Sequence, residues 1–465
     1  MSMHLSLQQA FDWVRAAQPE ARLLGDPGVQ CRRVHTDTRS LQGGDLFVAL
    51  RGERFDAHTF LPLAAAKGAA AAIAEDGLAA AGLSGIEVPN PLAALGTLAA
   101  SWRMQFDLPL IAVTGSNGKT TVTQMLAAIL AAHAPGASLA TQGNFNNSIG
   151  LPLTLLRLAP AHRCAVVELG MNHPGEIAEL AALAQPTVAL VNNAQREHLE
   201  FMHTVAAVAQ ENGAVLAALA AQGSAVFPAE DAFTELWRDM AGARACITFG
   251  MQAGDVQCDR AVWTGAAWQL RCTTPQGVVQ CTLALPGEHN VRNALASIAC
   301  ALAAGVPLGA IAQGLSGFQA VAGRSRAQVL RVAGRSITLV DDSYNANPDS
   351  MRAAIDVLAS LPAPRLLVMG DMGEVGNDGP RLHAEVGAYA RQCGIEQLFA
   401  LGDAAVHAVR EFPGGHHFAN MDALQAGVCT ELAHLRSVLV KGSRFMKMER
   451  AVHALQSMQD GGTAC

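Results

Sequence analysis

The chain has 465 residues, a formal net charge of −7 at pH 7, and 51% hydrophobic against 15% charged residues. This length predicts about three domains, the negative charge argues against a nucleic-acid-binding surface, and no apolar run is long enough to span a membrane. The N-terminal segment carries Asp12 and Arg15 and lacks the apolar core of a signal peptide, and the ten cysteines form no C-x-x-C pair, so we expect a cytoplasmic protein with reduced thiols and no zinc site.

Strand-like and helical segments alternate along the chain, which predicts α/β blocks at residues 1–104, 105–318 and 319–465. In the central block the alternation indicates a mostly parallel sheet covered by helices. The segments behind this prediction are strands at 45–50, 110–113, 165–169, 188–191, 336–340, 365–369, 397–401 and 438–441, and helices near 61–67, 122–130 and 348–361.

The first block contains a polar stretch around its predicted strand, at residues 36–60. Within it, Arg39 carries a planar, forked cation that matches an anion such as a diphosphate. Taken alone, however, the stretch favours a capped turn beside a strand over a binding site.

A phosphate-binding loop follows the strand at 110–113 and precedes an amphipathic helix. At such a junction, unpaired N–H groups and the helix dipole favour phosphate oxygens. Lys119 adds a positive charge, and the Thr120 hydroxyl suits Mg²⁺. The loop predicts a nucleoside triphosphate site formed by Gly115, Ser116, Asn117, Gly118, Lys119, Thr120 and Thr121.

Polar side chains follow the later strands of the central block. Glu168 lies at the end of one predicted strand and His198 comes after the next, at the edge where open α/β sheets bind ligands. A carboxylate suits Mg²⁺, whereas a lone histidine is more often a packing residue. The amide-rich stretch at 141–152 is as typical of a turn as of a site.

Two asparagines, Asn290 and Asn293, lie one turn apart on a predicted helix. Their amides could pair with the donor and acceptor edge of adenine, although N-capping would explain Asn290 alone. In the third block, the Asp-Asp pair at 341–342 could likewise be a capped turn.

The phosphate loop has only Ser116 and Asn117 between its glycines, and this short form resembles the loop of the Mur ligase and folylpolyglutamate synthetase superfamily of ATP-dependent amide-forming enzymes. The motifs at 36–60, 287–296, 341–348 and 369–376 extend the resemblance to Mur ligases over nearly the whole chain. It implies a central ATP-binding domain with a parallel sheet, a substrate-binding N-terminal α/β domain and a Rossmann-like C-terminal domain.

The resemblance also implies roles for individual residues. ATP would contact the phosphate loop together with Asn290, Asn293, Arg324 and Asp342. The implied catalytic residues are Lys119, Glu168, His198 and Arg324, and Thr120, Glu168 and His198 would bind two Mg²⁺ ions. The implied substrate-binding residues are Thr38, Arg39, Ser40, Asp45, Phe47, Asn144, Asn146, Asn147, Tyr344, Asn345, Asn347, Lys441, Ser443 and Arg444.

One position departs from the family pattern. Mur ligases commonly carry a lysine that is carbamylated near the second Mg²⁺, and this chain has Asn212 there. No lysine occurs between Lys119 and Lys441. A substitute charge is therefore expected, either chloride or another small anion near Asn212, or the carboxylate of Glu211.

The resemblance implies an ATP-dependent ligase of peptidoglycan biosynthesis, which joins D-alanyl-D-alanine to UDP-N-acetylmuramoyl-tripeptide through an acyl phosphate. We expect a monomer that acts on these small molecules, without nucleic acid and without membrane insertion. A sister Mur ligase or a folylpolyglutamate synthetase remains an alternative. An ATP-hydrolysing switch or assembly protein is an alternative of another class, which ATP turnover indifferent to both substrates would favour.

Overall fold

The computed structural model describes residues 3–52 and 55–459, and each predicted block contains its own sheet. In the first block, strands β2, β9, β8, β5 and β4 form a five-stranded sheet in that order, parallel except for the pair β2–β9. The elements of this block are β1 (Leu5–Ser6), α1 (Leu7–Ala17), β2 (Arg22–Leu24), β3 (Gln30–Cys31), β4 (Arg33–His35), β5 (Asp45–Val48), β6 (Arg51–Gly52), β7 (Phe55–Asp56), α2 (Leu61–Ala66), β8 (Ala71–Ala74), α3 (Leu78–Ala81), β9 (Gly85–Glu87) and α4 (Pro91–Arg103).

The central block contains a nine-stranded sheet. Its elements are β10 (Leu110–Thr114), α5 (Lys119–His133), β11 (Ser138–Ala140), α6 (Gly150–Leu155), β12 (Cys164–Glu168), α7 (Glu176–Ala184), β13 (Val188–Val191), α8 (Leu199–Met202), α9 (Val205–Ala217), β14 (Ser224–Pro228), α10 (Thr234–Ala241), β15 (Ala245–Gly250), β16 (Val256–Trp263), β17 (Trp268–Thr274), β18 (Gly277–Leu283), α11 (Glu288–Ala303) and α12 (Leu308–Ser316). The order β11-β12-β10-β13-β14-β15-β16 is parallel, as predicted, and β17 and β18 extend it as an antiparallel meander.

The third block contains a six-stranded sheet in the order β19-β20-β24-β21-β22-β23, parallel except for the edge pair β19–β20. Its elements are β19 (Arg326–Val332), β20 (Arg335–Asp342), α13 (Pro348–Ala359), β21 (Arg365–Gly370), α14 (Gly379–Gln392), β22 (Gln397–Leu401), α15 (Val406–Arg410), β23 (His416–Phe418), α16 (Met421–Glu431), β24 (Ser437–Lys441) and α17 (Glu449–Ser457). Helix α13 begins with a capping box formed by Asn347 and Ser350.

The helix after the phosphate loop is longer than predicted because it begins directly at Lys119 and ends at His133. Its apolar side chains, including Met125, Leu126 and Ile129, are fully buried against the sheet and against α11 and α12. Packing therefore holds the N-terminus of α5, and with it the loop, at the carboxyl end of β10.

Among the described residues, no helix combines the length and the apolar character needed to cross a membrane.

We keep the domain boundaries after residues 104 and 318 as a proposal. The first boundary falls between α4, which ends at Arg103, and β10, which begins at Leu110. The second falls between α12, which ends at Ser316, and β19, which begins at Arg326. The predicted first and last domains include residues 1–2, 53–54 and 460–465, which lie outside the described ranges.

The contact between α12 and α5 gives a stability test. A Cβ added to Gly314 would overlap the backbone of Ile129, whereas a Cβ added to Gly309 in the same helix meets nothing within 4 Å. We expect Gly314→Ala to destabilise the central domain by about 1–3 kcal/mol, the usual cost of overpacking a backbone contact. Gly309→Ala should leave the thermal unfolding midpoint unchanged or slightly raised. Equal midpoints for the two variants would contradict this account.

Candidate functional site

A cavity of about 750 Å³ lies at the carboxyl ends of β10, β12 and β13, between the central and third blocks. This is the edge where parallel α/β sheets bind ligands. The predicted site residues that line it are Ser116, Asn117, Gly118, Lys119, Thr120, Thr121, Asn144, Asn146, Asn147, Glu168, His198, Asn290, Asn293, Arg324, Asp342, Tyr344, Asn345, Asn347 and Lys441.

Three asparagine side chains bind the backbone of the phosphate loop. Asn212 Oδ1 accepts from the Gly115 N–H at 2.9 Å, and Asn193 Oδ1 accepts from the Asn117 N–H at 2.9 Å. Asn192 Nδ2 donates to the Asn117 carbonyl at 2.8 Å. The backbone at Gly118 has φ +83° and a Cβ there would collide with Asn192 and Asn293, so only glycine fits.

The ammonium of Lys119 is 15% exposed and is bound on the protein side of the cavity. It donates to the carbonyls of Gly115 at 2.6 Å and Ser116 at 3.2 Å, and to Glu197 Oε1 at 2.6 Å. Glu197 also lines the cavity. Glu197 is not among the residues predicted from the sequence, although its position directly before His198 was a signal.

Glu168 ends β12 with its carboxylate buried at the cavity. Asn146 Nδ2 donates to Glu168 Oε1 at 2.7 Å, and Glu168 Oε2 is buried without a hydrogen-bond partner among the described residues. A buried carboxylate oxygen of this kind fits a Mg²⁺ ligand.

His198 lies between two carboxylates at the same edge. Its Nε2 is 3.5 Å from Glu197 Oε1, and its Nδ1 is 2.5 Å from Oε2 of Glu374, which belongs to the third block. Burial disfavours the imidazolium, but hydrogen bonds to both carboxylates outweigh burial and raise the pKa of His198 to about 9.

In the described ranges, no group of three or more His, Cys, Asp or Glu side chains is arranged to hold a metal by itself. Mg²⁺ usually retains several waters and takes one or two carboxylates together with phosphate oxygens. Glu168, His198 and the Thr120 hydroxyl are compatible with that mode, because all three line a cavity that also exposes the phosphate loop.

The two candidates for a substitute charge near position 212 differ in their surroundings. Both carboxylate oxygens of Glu211 accept backbone N–H groups at the start of α7, from Gly175 and Ile177, each at 2.8 Å. Glu211 is therefore engaged away from the cavity, and the structure corrects that alternative. Asn212 Nδ2 is a buried donor with no partner among the described residues.

The two helical asparagines are engaged with the protein. Asn293 Nδ2 donates to Asn290 Oδ1 at 3.0 Å, and Asn293 Oδ1 accepts from Asn192 at 3.0 Å. Asn290 Nδ2 donates to the Pro286 carbonyl at 2.7 Å. These bonds link α11 to Asn192, which in turn binds the phosphate loop at Asn117.

The third block contributes a charged wall. Lys441 Nζ donates to Asp342 Oδ2 at 2.6 Å and to the Asn345 carbonyl at 2.9 Å. The Arg324 guanidinium carbon lies 4.0 Å from the centroid of the Tyr344 ring, which is a cation–π contact.

Two predicted substrate residues of this block do not line the cavity. Ser443 is buried, where its hydroxyl accepts from the Gly373 N–H at 2.7 Å and contacts the Ala346 carbonyl at 3.1 Å. Arg444 is exposed and pairs with Glu449 at 3.0 Å. Both side chains are thus accounted for by local contacts.

The predicted substrate residues of the first block also lie away from this cavity. Phe47 is fully buried, and Asp45 is 2% exposed and paired with Arg33 at 2.6 Å, so packing and this ion pair account for both side chains, and their role in substrate binding stays a prediction. The remaining three surround a surface turn. The Thr38 carbonyl accepts from Lys67, Arg39 is 89% exposed beside Asp37, and Ser40 Oγ is 2.8 Å from His35 Nε2.

Contacts between the central and third blocks adjoin the cavity. Arg196 donates to Asp349 at 2.6 Å and to Glu385 at 3.0 Å. Asn347 Nδ2 donates to Asn117 Oδ1 of the phosphate loop at 2.9 Å. Sequence reasoning did not identify Arg196, because its partners are more than 150 residues away along the chain.

Comparisons with known proteins cover all three blocks. Residues 31–103 match the Mur ligase family catalytic domain, residues 113–301 the Mur ligase middle domain, and residues 325–444 the Mur ligase glutamate ligase domain. The UDP-N-acetylmuramoyl-tripeptide--D-alanyl-D-alanine ligase of Escherichia coli (strain K12) is 42% identical, over 91% of this chain and 93% of its own length.

The chain belongs to the Mur ligase family. It is therefore a ligase, and the predicted family, three-domain α/β fold and enzyme class are confirmed. The equivalent ligase of Haemophilus influenzae is 38% identical, over 94% of this chain and 96% of that protein. A crystal structure of MurF from Acinetobacter baumannii has a TM-score of 0.89 and 34% identity, covering 98% of this chain and 99% of that one.

The Arg196 contacts predict how this Mur ligase holds its third domain. Arg196→Gln should favour separation of the third domain by about tenfold or more, because charge-assisted hydrogen bonds contribute roughly 1.5–3 kcal/mol. Small-angle scattering should then give a larger radius of gyration than for the unmodified protein. Arg450→Gln, which removes an exposed pair with Asp422 inside the third block, is the control. Identical scattering from both variants would refute the role of Arg196.

Proposed function

We propose that this ligase uses ATP to join D-alanyl-D-alanine to UDP-N-acetylmuramoyl-tripeptide through an acyl phosphate, as a step of peptidoglycan biosynthesis. One observation carries the proposal: the phosphate loop, Glu168 and the polar wall of the third domain share one cavity. The names of the relatives with 42% and 38% identity support the choice of substrates.

The chemistry explains why these groups share one site. A carboxylate resists attack by an amine because its leaving group would be oxide, so one carboxylate oxygen of the precursor first attacks the γ-phosphorus of ATP and displaces ADP. The dipeptide amine then attacks the acyl carbon, inorganic phosphate leaves with the bond electrons, and the amine loses a proton. No protein nucleophile is required.

We propose the following roles in that sequence. Lys119 and Arg324 stabilise negative charge on the transferring phosphoryl group, and the third domain excludes water that would hydrolyse the acyl phosphate. Thr120, Glu168 and His198 would hold Mg²⁺, which would supply positive charge against the phosphate oxygens. The nucleotide is held by the loop from Gly115 to Thr121 with Asn290, Asn293 and Asp342.

Further predictions depend on this function. Asn144, Asn146, Asn147, Tyr344, Asn345, Asn347 and Lys441 are the proposed precursor or dipeptide contacts at the cavity, and Thr38, Arg39 and Ser40 are the proposed contacts of the first domain. We also propose a cytoplasmic monomer that binds neither nucleic acid nor the membrane interior. Chloride or another small anion near Asn212 is one predicted source of the negative charge that the amide at this position does not supply.

A substrate panel tests the proposed function. Phosphate release should require both UDP-N-acetylmuramoyl-tripeptide and D-alanyl-D-alanine, since the acyl phosphate forms on one and is consumed by the other. UDP-N-acetylmuramoyl-dipeptide with an amino acid tests the sister Mur ligase, and a folate with glutamate tests the folate enzyme. ATP hydrolysis that ignores every carboxylate and amine would contradict ligation.

Lys119 provides the sharpest variant for this reaction. Lys119→Ala should lower turnover by about a hundredfold or more, the effect expected from removing one preorganised electrostatic stabiliser. The fold should survive, and Arg450→Gln should retain normal turnover because its pair with Asp422 is exposed and distant in sequence from the loop. Near-normal phosphate release by the Lys119 variant would rule out this assignment of the loop.

A further inference from the structure

Glu197 is a buried carboxylate at the centre of the proposed phosphate site. Its side chain is 10% exposed and lines the cavity. Its Oε1 lies 2.6 Å from Lys119 Nζ and 3.5 Å from His198 Nε2. Its Oε2 is buried and has no hydrogen-bond partner among the described residues.

The buried Glu197 Oε2 lowers the stability of the fold unless a bound ligand or ion supplies its missing partner. A carboxylate offers about four acceptor positions, and a buried polar atom left without a partner loses its hydration without compensation, at a cost that is larger when it is charged. Buried oxygens of this kind are retained where an ion or ligand supplies the missing contact. The open oxygen of Glu197 therefore points to a cation bound in the cavity.

The charge requirement of the site leads to the same residue. Position 212 holds a neutral amide, and both oxygens of Glu211 are occupied by backbone N–H groups. Glu374 also reaches His198, but it comes from the third domain and is 46% exposed. Glu197 is the carboxylate beside His198 that is both buried and fixed to the phosphate-loop domain.

We propose that the Glu197 carboxylate supplies the negative charge of the Mg²⁺ site on the His198 side, in the role that the neutral Asn212 cannot fill. This inference rests on the proposed function. In the structure, the Glu197 carboxylate holds the ammonium of Lys119 at 2.6 Å. When a triphosphate binds, its oxygens compete for Lys119 and the Glu197 carboxylate becomes available to the metal.

If Lys119 passes from Glu197 to the phosphate oxygens when nucleotide binds, replacing Glu197 should affect metal binding and nucleotide binding differently. Removing the carboxylate should weaken metal binding, because a ligand and its charge are lost. It should leave the metal-free affinity for nucleotide unchanged or raised, because Lys119 is no longer held by an internal anion. A residue that only stabilised the loop would weaken both affinities together.

Calorimetric titrations of the full chain with Mn²⁺ and a non-hydrolysable ATP analogue measure this difference. We expect Glu197→Gln to lower Mn²⁺ affinity in the presence of the analogue by about 10 to 100-fold, as for groups that support metal sites. The analogue affinity without metal should not fall. Glu197→Asp should recover part of the Mn²⁺ affinity, and Glu200→Gln, an exposed carboxylate on α8, should behave as the unmodified protein.

The titrations are repeated with chloride replaced by gluconate at equal ionic strength. Unchanged Mn²⁺ affinity of the unmodified protein in gluconate supports Glu197, and a loss confined to chloride-free buffer would assign the charge to an anion near Asn212 and overturn the proposal. Equal Mn²⁺ affinity in Glu197→Gln and the unmodified protein would also overturn it. An unmodified protein that binds neither the analogue nor Mn²⁺ would instead refute the proposed function on which the inference depends.

Thermal unfolding separates these results from a folding defect. Glu197→Gln should retain a cooperative unfolding transition, because glutamine keeps the shape of the side chain and its amide oxygen can still accept a hydrogen bond from Lys119. If the variant does not fold, Glu197→Asp carries the test, because it keeps the charge and shortens its reach. An aspartate variant with reduced Mn²⁺ affinity and unchanged metal-free nucleotide affinity supports the proposal, because the shorter carboxylate reaches the metal less well. An aspartate variant with full Mn²⁺ affinity, or one whose metal-free nucleotide affinity falls in parallel with its Mn²⁺ affinity, overturns the proposal.

Discussion

Hydrogen bonds from asparagine side chains fix the phosphate loop, and the rest of the cavity is arranged around that loop. Asn192, Asn193 and Asn212 bind the backbone of Gly115 and Asn117 from the protein side. Neutral amides suit this task because they satisfy loop N–H and C=O groups without adding charge near phosphate. The loop is thereby held at the N-terminus of α5, where the first helical N–H groups have no partner within the helix.

Local pattern was enough to predict the parts of the molecule whose signals are short-range. The central parallel strands are continuous apolar runs, as in Val188–Val191, because both their faces are covered by helices. The phosphate loop was predictable because the strand, two glycines and the lysine are contiguous. The edge position of Glu168 followed from the same rule, since the carboxyl ends of parallel strands share one edge.

Long-range pairing and side-chain orientation were beyond the sequence. The meander of β17 and β18 has ordinary alternating residues, and nothing local specifies that it continues the parallel sheet. Phe47 lies in a motif-like stretch, yet the pleat of β5 directs it into the core. Glu197 was not predicted as a site residue, because the motif drew attention to His198 beside it. Its contact with Lys119 joins positions 78 residues apart, which no local pattern reveals.

Three consecutive side chains after β13 face three different surroundings. Arg196 contacts the third domain, Glu197 contacts the phosphate loop, and His198 contacts Glu374 across the domain boundary. Because the three residues are consecutive, a displacement of their backbone would move all three contacts together. The seating of the third domain on Arg196 and the pairing of Glu197 with Lys119 are therefore made from a single short peptide segment.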